Sequence, residues 1–320
     1  MNPHHGDESL DQLLRAAGAR PEIDPMRKQR VEAAVRQAWQ AQRRSLRQRR
    51  LRWSLAAAAS LALAVLGAYR LWPMPAPASV AVLVHVEGEV LQVTSGGTRR
   101  LAVGDRIPLA AEVRSAADAS AAFSLDRVAS LRLRGGSRLR WDAADRIVLE
   151  RGEVYLDSGE RSGGIVVETA WLKASDVGTR FSVRHTAQGS AVLVRDGAVA
   201  VEARTQTQLG AGERIDVDAT GGVRRGHIAA HAQDWQWARS AAVPFDANGR
   251  TLRELLTWYA HESGLRLLVA AQAELAARLD TPLHGALGNL DAAQLLDVAR
   301  AAGPLQIRED RERGELEVSL

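Results

Sequence analysis

The chain has 320 residues, 46% of them apolar and 25% charged, which suits two or three packed domains and excludes a disordered protein. Cysteine is absent, so disulfide and thiolate chemistry are excluded as well. The formal charge of +4 is uneven: residues 1–52 hold twelve Arg or Lys against six Asp or Glu, leaving the remainder slightly acidic.

Residues 1–52 read as two short helices. Ser9 followed by Gln12 forms a capping-box pattern before LDQLLRAA, and Gly18 stops that helix. Asp24-Pro25 then supplies an N-cap with proline at the first helical position. In the second helix Val31, Val35 and Trp39 fall near one face, with Arg30, Arg36 and Arg43 elsewhere. A segment this short builds little core alone. Its apolar stripe therefore packs on its neighbour, lies on a membrane or receives a partner protein.

The uncharged run Trp53–Tyr69 follows, and a helix extended through Trp72 reaches the roughly 30 Å of a bilayer core. Arg43, Arg44, Arg47, Arg49, Arg50 and Arg52 precede it and only Arg70 follows closely. The positive-inside rule then places residues 1–52 in the cytoplasm and the rest outside. A cleaved signal peptide and a buried soluble helix are the competing readings; the long preceding segment argues against the first, and flanking Trp53, Tyr69 and Trp72 argue against the second. The arginine cluster serves topology and anionic lipid more simply than it serves nucleic acid.

Pro73, Pro75 and Pro77 make a stiff spacer over residues 73–79. From residue 80 to about 225 the pattern is that of strands. VAVLVHVEGEVLQV puts Val82, Val84 and Val86 on one face, and SLRLRGGSRLRW reads as a hairpin turning at Gly135-Gly136. The spacing of turns suggests an all-β sandwich or barrel-like sheet. An internal repeat supports this: VLVHVEGEVLQV with LAVGDRI resembles AVLVRDGAVAVEA with LGAGERI, pairing Gly88 and Gly104 with Gly197 and Gly212. LERGEVYL around Gly152 is a partial third copy. Each unit is strand, glycine turn, strand, then a glycine turn with an acid able to bond its own backbone.

Residues 226–242 read as a linker, and residues 243–320 as a small α+β domain. Thr251 with Glu254 caps the helix LRELLTWYAHES, which Gly264 ends. LRLLVA is a strand and Leu283–Leu287 a further candidate. Asn289 caps LDAAQLLDVARAA, and LQIRE with ELEVSL closes the chain as a hairpin around Gly314.

Chemistry-bearing motifs are few. His227 and His231 have the spacing of two metal ligands on a helix, but no acid between them and no third ligand, so they read as a surface pair. Phosphate-loop and GxSxG signatures are missing, and Asp216 with Asp218 reads as a solvated strand end. No cofactor and no metal are implied. In DVGTRFSV, residues 176–183, Gly178-Thr179 joins an unhindered carbonyl to a hydroxyl one residue later, which could shift the acyl group from nitrogen to oxygen and let water cut the chain. The plainer reading is a tight turn entering RFSV, with Phe181 and Val183 inward.

The order of these parts, with VETAWLKASDVGTRFSV, AVLVRDGAVAVEA and LGAGERI in the β domain, resembles the FecR family of transmembrane iron-transport regulators, which are anti-sigma factors. Residues 243–320 resemble the small secretin and TonB N-terminal domain. The resemblance implies a single-pass inner-membrane signal transducer. Its periplasmic part would sense the signalling domain of a TonB-dependent outer-membrane receptor, and residues 1–52, through Val31, Val35 and Trp39, would hold an extracytoplasmic-function (ECF) sigma factor. Membrane proteases would act in its release. It also implies self-cleavage at Gly178-Thr179 as in some relatives, with no other catalytic activity. The cytoplasmic segment departs from the family in having only Trp39 before the span. An envelope-binding β protein anchored in the inner membrane is the alternative.

Overall fold

The computed structural model describes residues 79–125, 129–159, 164–284, 292–301 and 303–320, together with Arg15 and Met26, both helical. The chain divides into two compact units, 1–76 and 77–320. The sigma-binding candidates Val31, Val35 and Trp39, the arginines Arg43, Arg44, Arg47, Arg49, Arg50 and Arg52, and the expected span over residues 53–72 lie outside the described residues. Among the described residues no helix is long and apolar enough to cross a membrane.

The second unit begins with strands β1 (Ser79–Glu87), β2 (Val90–Thr94), β3 (Gly97–Arg100), β4 (Arg106–Pro108), β5 (Glu112–Ser115), β6 (Ser120–Ser124), β7 (Ser130–Leu133) and β8 (Arg138–Ala143). It continues with β9 (Arg146–Asp157), β10 (Val166–Glu168), β11 (Lys173–Asp176), β12 (Arg180–Thr186), β13 (Gly189–Asp196), β14 (Ala198–Glu202), β15 (Gln206–Gly210), β16 (Glu213–Asp218) and β17 (Val223–His227). They form two facing sheets. Sheet I runs β4-β1-β6-β7-β9-β12-β13-β16-β17. Sheet II runs β3-β2-β5-β8-β9-β10-β11-β14-β15, with β9 and β10 parallel and every other pair antiparallel. Strand β9 belongs to both. Its first half pairs with β8, its second with β7 and β12, and it turns from one sheet to the other at Gly152, where φ is 94°.

The core lies between the sheets. Leu83, Val113, Leu131, Leu139, Ile147, Val167, Phe181 and Val192 are fully buried there, and Phe123 meets Trp141 edge to face with ring centroids 5.6 Å apart. The internal repeat is the rule by which the chain changes sheets. Gly88 leads β1 of sheet I into β2 of sheet II, and Gly197 leads β13 into β14 in the same way; both have positive φ, 71° and 79°. The return crossings use Gly104 and Gly212. Beside them Asp105 accepts a hydrogen bond from the N–H of Ala102 at 2.9 Å and Glu213 accepts one from the N–H of Gly210 at 2.6 Å, so each acid does bond its own turn.

Two expectations for this domain are corrected. SLRLRGGSRLRW is not a hairpin: β7 pairs with β6 and β9 in sheet I, whereas β8 pairs with β5 and β9 in sheet II. Gly135-Gly136 is another crossing, where a Cβ on Gly135 would lie 2.2 Å from the Ala117 carbonyl oxygen. In β1 the core residues are Val80, Ala81 and Leu83, while Val82 and Val84 are half-buried. A register shift between Leu83 and His85 then lets Val86 pack on the core.

Residues 228–240 form a cover on the outer face of sheet I. A 3₁₀ turn, Gln233–Trp235, and the short helix α1 (Gln236–Ser240) place Trp235 and Ala238 on Tyr155, Ala191 and Leu193. The Trp235 Nε1–H donates to the Ala229 carbonyl at 2.9 Å, and its ring meets that of Tyr155 at 5.9 Å. This cover explains why AVLV in β13, residues 191–194, is a continuous apolar run, since both of its faces are buried.

The C-terminal part is α+β. Helices α2 (Leu252–Ser263), α3 (Ala273–Leu279) and α4 (Ala292–Ala301) accompany a sheet ordered β18 (Arg266–Val269), β20 (Glu315–Ser319), β19 (Gln306–Asp310). Leu255, Leu256, Leu295, Leu296, Leu316 and Val318 form its core. The Thr251–Glu254 capping box is complete in both directions, and Gly264 ends α2 in the left-handed conformation. The β19–β20 hairpin turns before Gly314 as expected. Helix α3 was not anticipated. Leu283 bridges to the turn before α2 through the N–H of Gly249 and the carbonyl of Arg250, and residues 285–287 of the further strand candidate lie outside the described residues. Asn289 lies outside the described residues.

Candidate functional site

The chain leaves sheet II at Asp176, passes Val177 and Gly178, and enters sheet I at Arg180. Gly178 has φ 79°, which the crossing requires. The Asp176 carboxylate folds back over the turn: its Oδ1 accepts from the N–H of Gly178 at 3.0 Å and also from the Thr179 hydroxyl. Ser158, just past the end of β9, completes the arrangement. Its Oγ accepts from the N–H of Thr179 at 2.9 Å and lies 3.0 Å from Asp176 Oδ1 and 3.1 Å from the Thr179 carbonyl oxygen.

All three side chains are shielded, with Ser158, Thr179 and Asp176 at 1%, 2% and 4% exposure. Asp176 makes no ion pair among the described residues, and its Oδ2 is buried without a hydrogen-bond partner there. The Gly178 carbonyl lies against Gly197, the crossing glycine of the repeat, where a Cβ would be 2.4 Å from that oxygen. The sequence-identified pair Gly178-Thr179 thus sits at a corner where Thr179 is buried and Gly178 half-buried, with a carboxylate on the hydroxyl and a second hydroxyl on the amide nitrogen. That arrangement suits proton movement within one peptide unit. Sequence reasoning missed Asp176 and Ser158. The signal for Asp176 was an acid two residues before the glycine, an Asx-turn pattern; Ser158 had none.

A second polar assembly joins the two parts of this unit. Arg132 on β7 and Arg195 on β13 point outward from sheet I yet are 5% and 3% exposed, because α1 and the end of α2 cover them. Arg195 donates to the carbonyls of Ala230 at 2.8 Å and Glu262 at 2.9 Å, and Arg180 donates to that of His261 at 2.8 Å. The Glu262 and His261 carbonyls belong to the last turn of α2, the partially negative end of its dipole. His261 Nε2 lies 2.9 Å from Asp157 Oδ2. Burial pushes the Asp157 carboxyl up, but the His261 hydrogen bond and charge together with Arg132 outweigh it and hold the group below its ordinary value.

The remaining sequence candidates have structural positions. His227 is the last residue of β17 and His231 lies in a turn, so their spacing is not helical; among the described residues no group of three or more His, Asp or Glu could hold a metal. Asp216 forms a two-point pair with Arg214, and Asp218 caps the β16–β17 turn through Thr220 and Gly222.

The geometry therefore defines a two-sheet β domain with a docked α+β module. Residues 111–200, which contain the corner and both buried arginines, match the family model described as FecR protein, and this part of the chain is a FecR domain. Two crystal structures of a protein from Parabacteroides distasonis ATCC 8503, described as a candidate anti-sigma factor and solved at 1.65 and 2.50 Å resolution, are similar in part. Each shows 16% identity and a TM-score of 0.36 over 65% of this chain, and the match covers 98% and 97% of the respective relative. No curated protein matches the chain.

Proposed function

We propose that this chain is a single-pass inner-membrane signal transducer that acts as an anti-sigma factor. The observation that carries the proposal is the FecR domain at residues 111–200. In this reading Val31, Val35 and Trp39 present an apolar helix face to an ECF sigma factor in the cytoplasm, a helix-in-groove contact. Residues 53–72 cross the membrane, oriented by Arg43, Arg44, Arg47, Arg49, Arg50 and Arg52. The FecR domain and the α+β module face the periplasm, where the signalling domain of a TonB-dependent outer-membrane receptor engages them and relieves sigma-factor binding, with membrane proteases completing the release. Regulation of iron transport is the biological setting this reading gives.

Capture of the tagged full chain from membranes of its native cell, beside a Trp39→Ala variant, tests it. A sigma factor retained by the first and lost by the second supports the proposal. An intact, membrane-bound chain that retains envelope components and no sigma factor supports an envelope anchor instead.

A second reading rests on a separate observation, the Thr179 hydroxyl bonded to Asp176 beside the Gly178 carbonyl. The chain cuts itself once at Gly178-Thr179 by an acyl shift from nitrogen to oxygen, followed by hydrolysis. Two fragments from the wild type and one intact chain from Thr179→Ala, with a new N-terminus at Thr179 by mass spectrometry, test this reading.

A further inference from the structure

The corner around Thr179 contains more than a nucleophile and a carbonyl. We infer that Asp176 is the proton acceptor for the Thr179 hydroxyl, and that Ser158 passes the proton on to the departing amide nitrogen; this rests on the self-cleavage reading above. Three contacts carry it. The Thr179 Oγ–H points at Asp176 Oδ1. Ser158 Oγ lies 3.0 Å from the same oxygen, and it also takes the N–H of Thr179 at 2.9 Å. One carboxylate oxygen and one hydroxyl thus connect the attacking oxygen to the leaving nitrogen of the same residue.

The step balances within this set. As the Thr179 Oγ forms its bond to the Gly178 carbonyl carbon, its proton moves to Asp176 Oδ1. When the carbon–nitrogen bond breaks, Ser158 gives its hydroxyl proton to the Thr179 nitrogen and recovers one from Asp176. The product is an ester between the Gly178 carbonyl and the Thr179 oxygen, with a free amine on Thr179 and both relay groups restored. Water then hydrolyses the ester to a Gly178 carboxylate and the Thr179 hydroxyl. Removing either relay group leaves the nucleophile in place but strands its proton, so the loss falls on the rate of the shift.

The same corner also holds structure, since Asp176 caps the Gly178 turn. The test must therefore separate rate from folding. The full chain is expressed in membranes as wild type, Asp176→Asn, Ser158→Ala and Thr179→Ser, and fragment formation is followed by pulse-chase immunoblotting with and without hydroxylamine, which attacks esters. Near-ultraviolet circular dichroism of the detergent-solubilised proteins reports the fold.

Wild type and Thr179→Ser are expected to cleave, with cleavage accelerated by hydroxylamine. Folded Asp176→Asn and Ser158→Ala are expected to cleave at least about tenfold more slowly and without acceleration, because no ester accumulates. Cleavage of both variants at the wild-type rate overturns the assignment while leaving the self-cleavage reading standing. A wild type that stays intact even with hydroxylamine overturns both. If Asp176→Asn does not fold, Asp176→Glu is compared with Asp176→Gln: faster cleavage by the carboxylate supports the role, and equal rates overturn it.

Discussion

The Arg132 guanidinium and the Glu262 carboxylate form a two-point ion pair, 2.6 Å from Nη1 to Oε2 and 2.8 Å from Nη2 to Oε1, with both side chains less than a tenth exposed. Arg132 stands on β7 in the middle of sheet I and Glu262 on the last turn of α2, 130 residues later. Nη1 also donates to the Ala238 carbonyl at 2.8 Å, and the guanidinium lies 5.1 Å from the centre of the Tyr155 ring. Burial works against the charge on Arg132, and Glu262 more than offsets it, so its pKa is raised. The planar fork of arginine matches the carboxylate in a way lysine would not.

Removing one member leaves the other charged and buried, which costs about 3–5 kcal/mol. Arg132→Ala and Glu262→Ala are each expected to lower stability by that amount in denaturant unfolding, and to open residues 228–250 to trypsin. The paired replacement Arg132→Met with Glu262→Leu is expected to recover most of the loss, because it removes both charges and keeps apolar volume. Single variants that unfold at the wild-type midpoint would show that the pair is not buried in solution.

His185 gives the fold a dependence on mildly acidic pH. Its ring packs on Trp171 with centroids 4.8 Å apart, Nδ1 lies 2.9 Å from the Ser190 hydroxyl, and burial pushes its pKa down. The unfolded chain then binds a proton more readily than the folded one. Stability is complete above the unfolded value of about 6.5 and falls as pH drops through that value toward the folded one, by at most about 1.4 kcal/mol per pH unit. His185→Asn keeps a polar group toward Ser190 and is expected to flatten the wild-type slope below about pH 6.5. Identical slopes in the two proteins would remove His185 as the cause.

Much of this architecture is legible in local sequence. The Thr251–Glu254 box, the Gly264 stop and the strand–glycine–strand repeat are local patterns whose physics acts within a few residues, and all three are realised. The hairpin at Gly135-Gly136 failed because a glycine pair looks the same whether the chain reverses within one sheet or crosses to another; the partners of β7 and β8 decide that, and they lie elsewhere in the chain. Arg132 and Arg195 interrupt apolar strand runs, where an arginine ordinarily faces solvent. Only the cover supplied by residues 228–264 makes them buried, and nothing within either strand announces it. Thr179 was legible from its chemistry, but Ser158, from a different strand end, was brought to it by the pairing of β9 with β12.

Crossing glycines are expected to differ in their tolerance of a side chain. Gly104 and Gly197 both have positive φ, 92° and 79°, so alanine at either carries a backbone cost of about 1–2 kcal/mol. A Cβ at Gly104 meets nothing within 4 Å, whereas at Gly197 it would lie 2.4 Å from the Gly178 carbonyl oxygen and 2.7 Å from the Thr179 methyl. Gly104→Ala should therefore lose only the backbone cost in thermal unfolding, and Gly197→Ala distinctly more. Equal losses would mean that the corner yields to the added methyl.

The α2 docking surface and the Thr179 corner share their chain neighbours, and this gives the last prediction. Asp157, which faces His261, precedes Ser158; Arg180, which donates to the His261 carbonyl and to Asp196 at 3.0 Å, follows Thr179; and Asp196 precedes Gly197. Asp157 and Arg180, the two residues that hold His261 at the end of α2, are thus each one peptide bond from a residue of the corner. His261→Ala removes the contact to Asp157 without touching Ser158 or Thr179. It is expected to speed hydrogen exchange of the Thr179 amide, which is held by Ser158 Oγ, while exchange in the distant β2–β5 ladder stays unchanged. In the wild type the same loosening is expected in acid. The depressed Asp157 pKa makes its stabilisation complete above the unfolded value of about 3.9 and lost as pH falls through the folded value below it. Exchange at Thr179 that ignores both His261→Ala and acid would show that the module and the corner are mechanically independent.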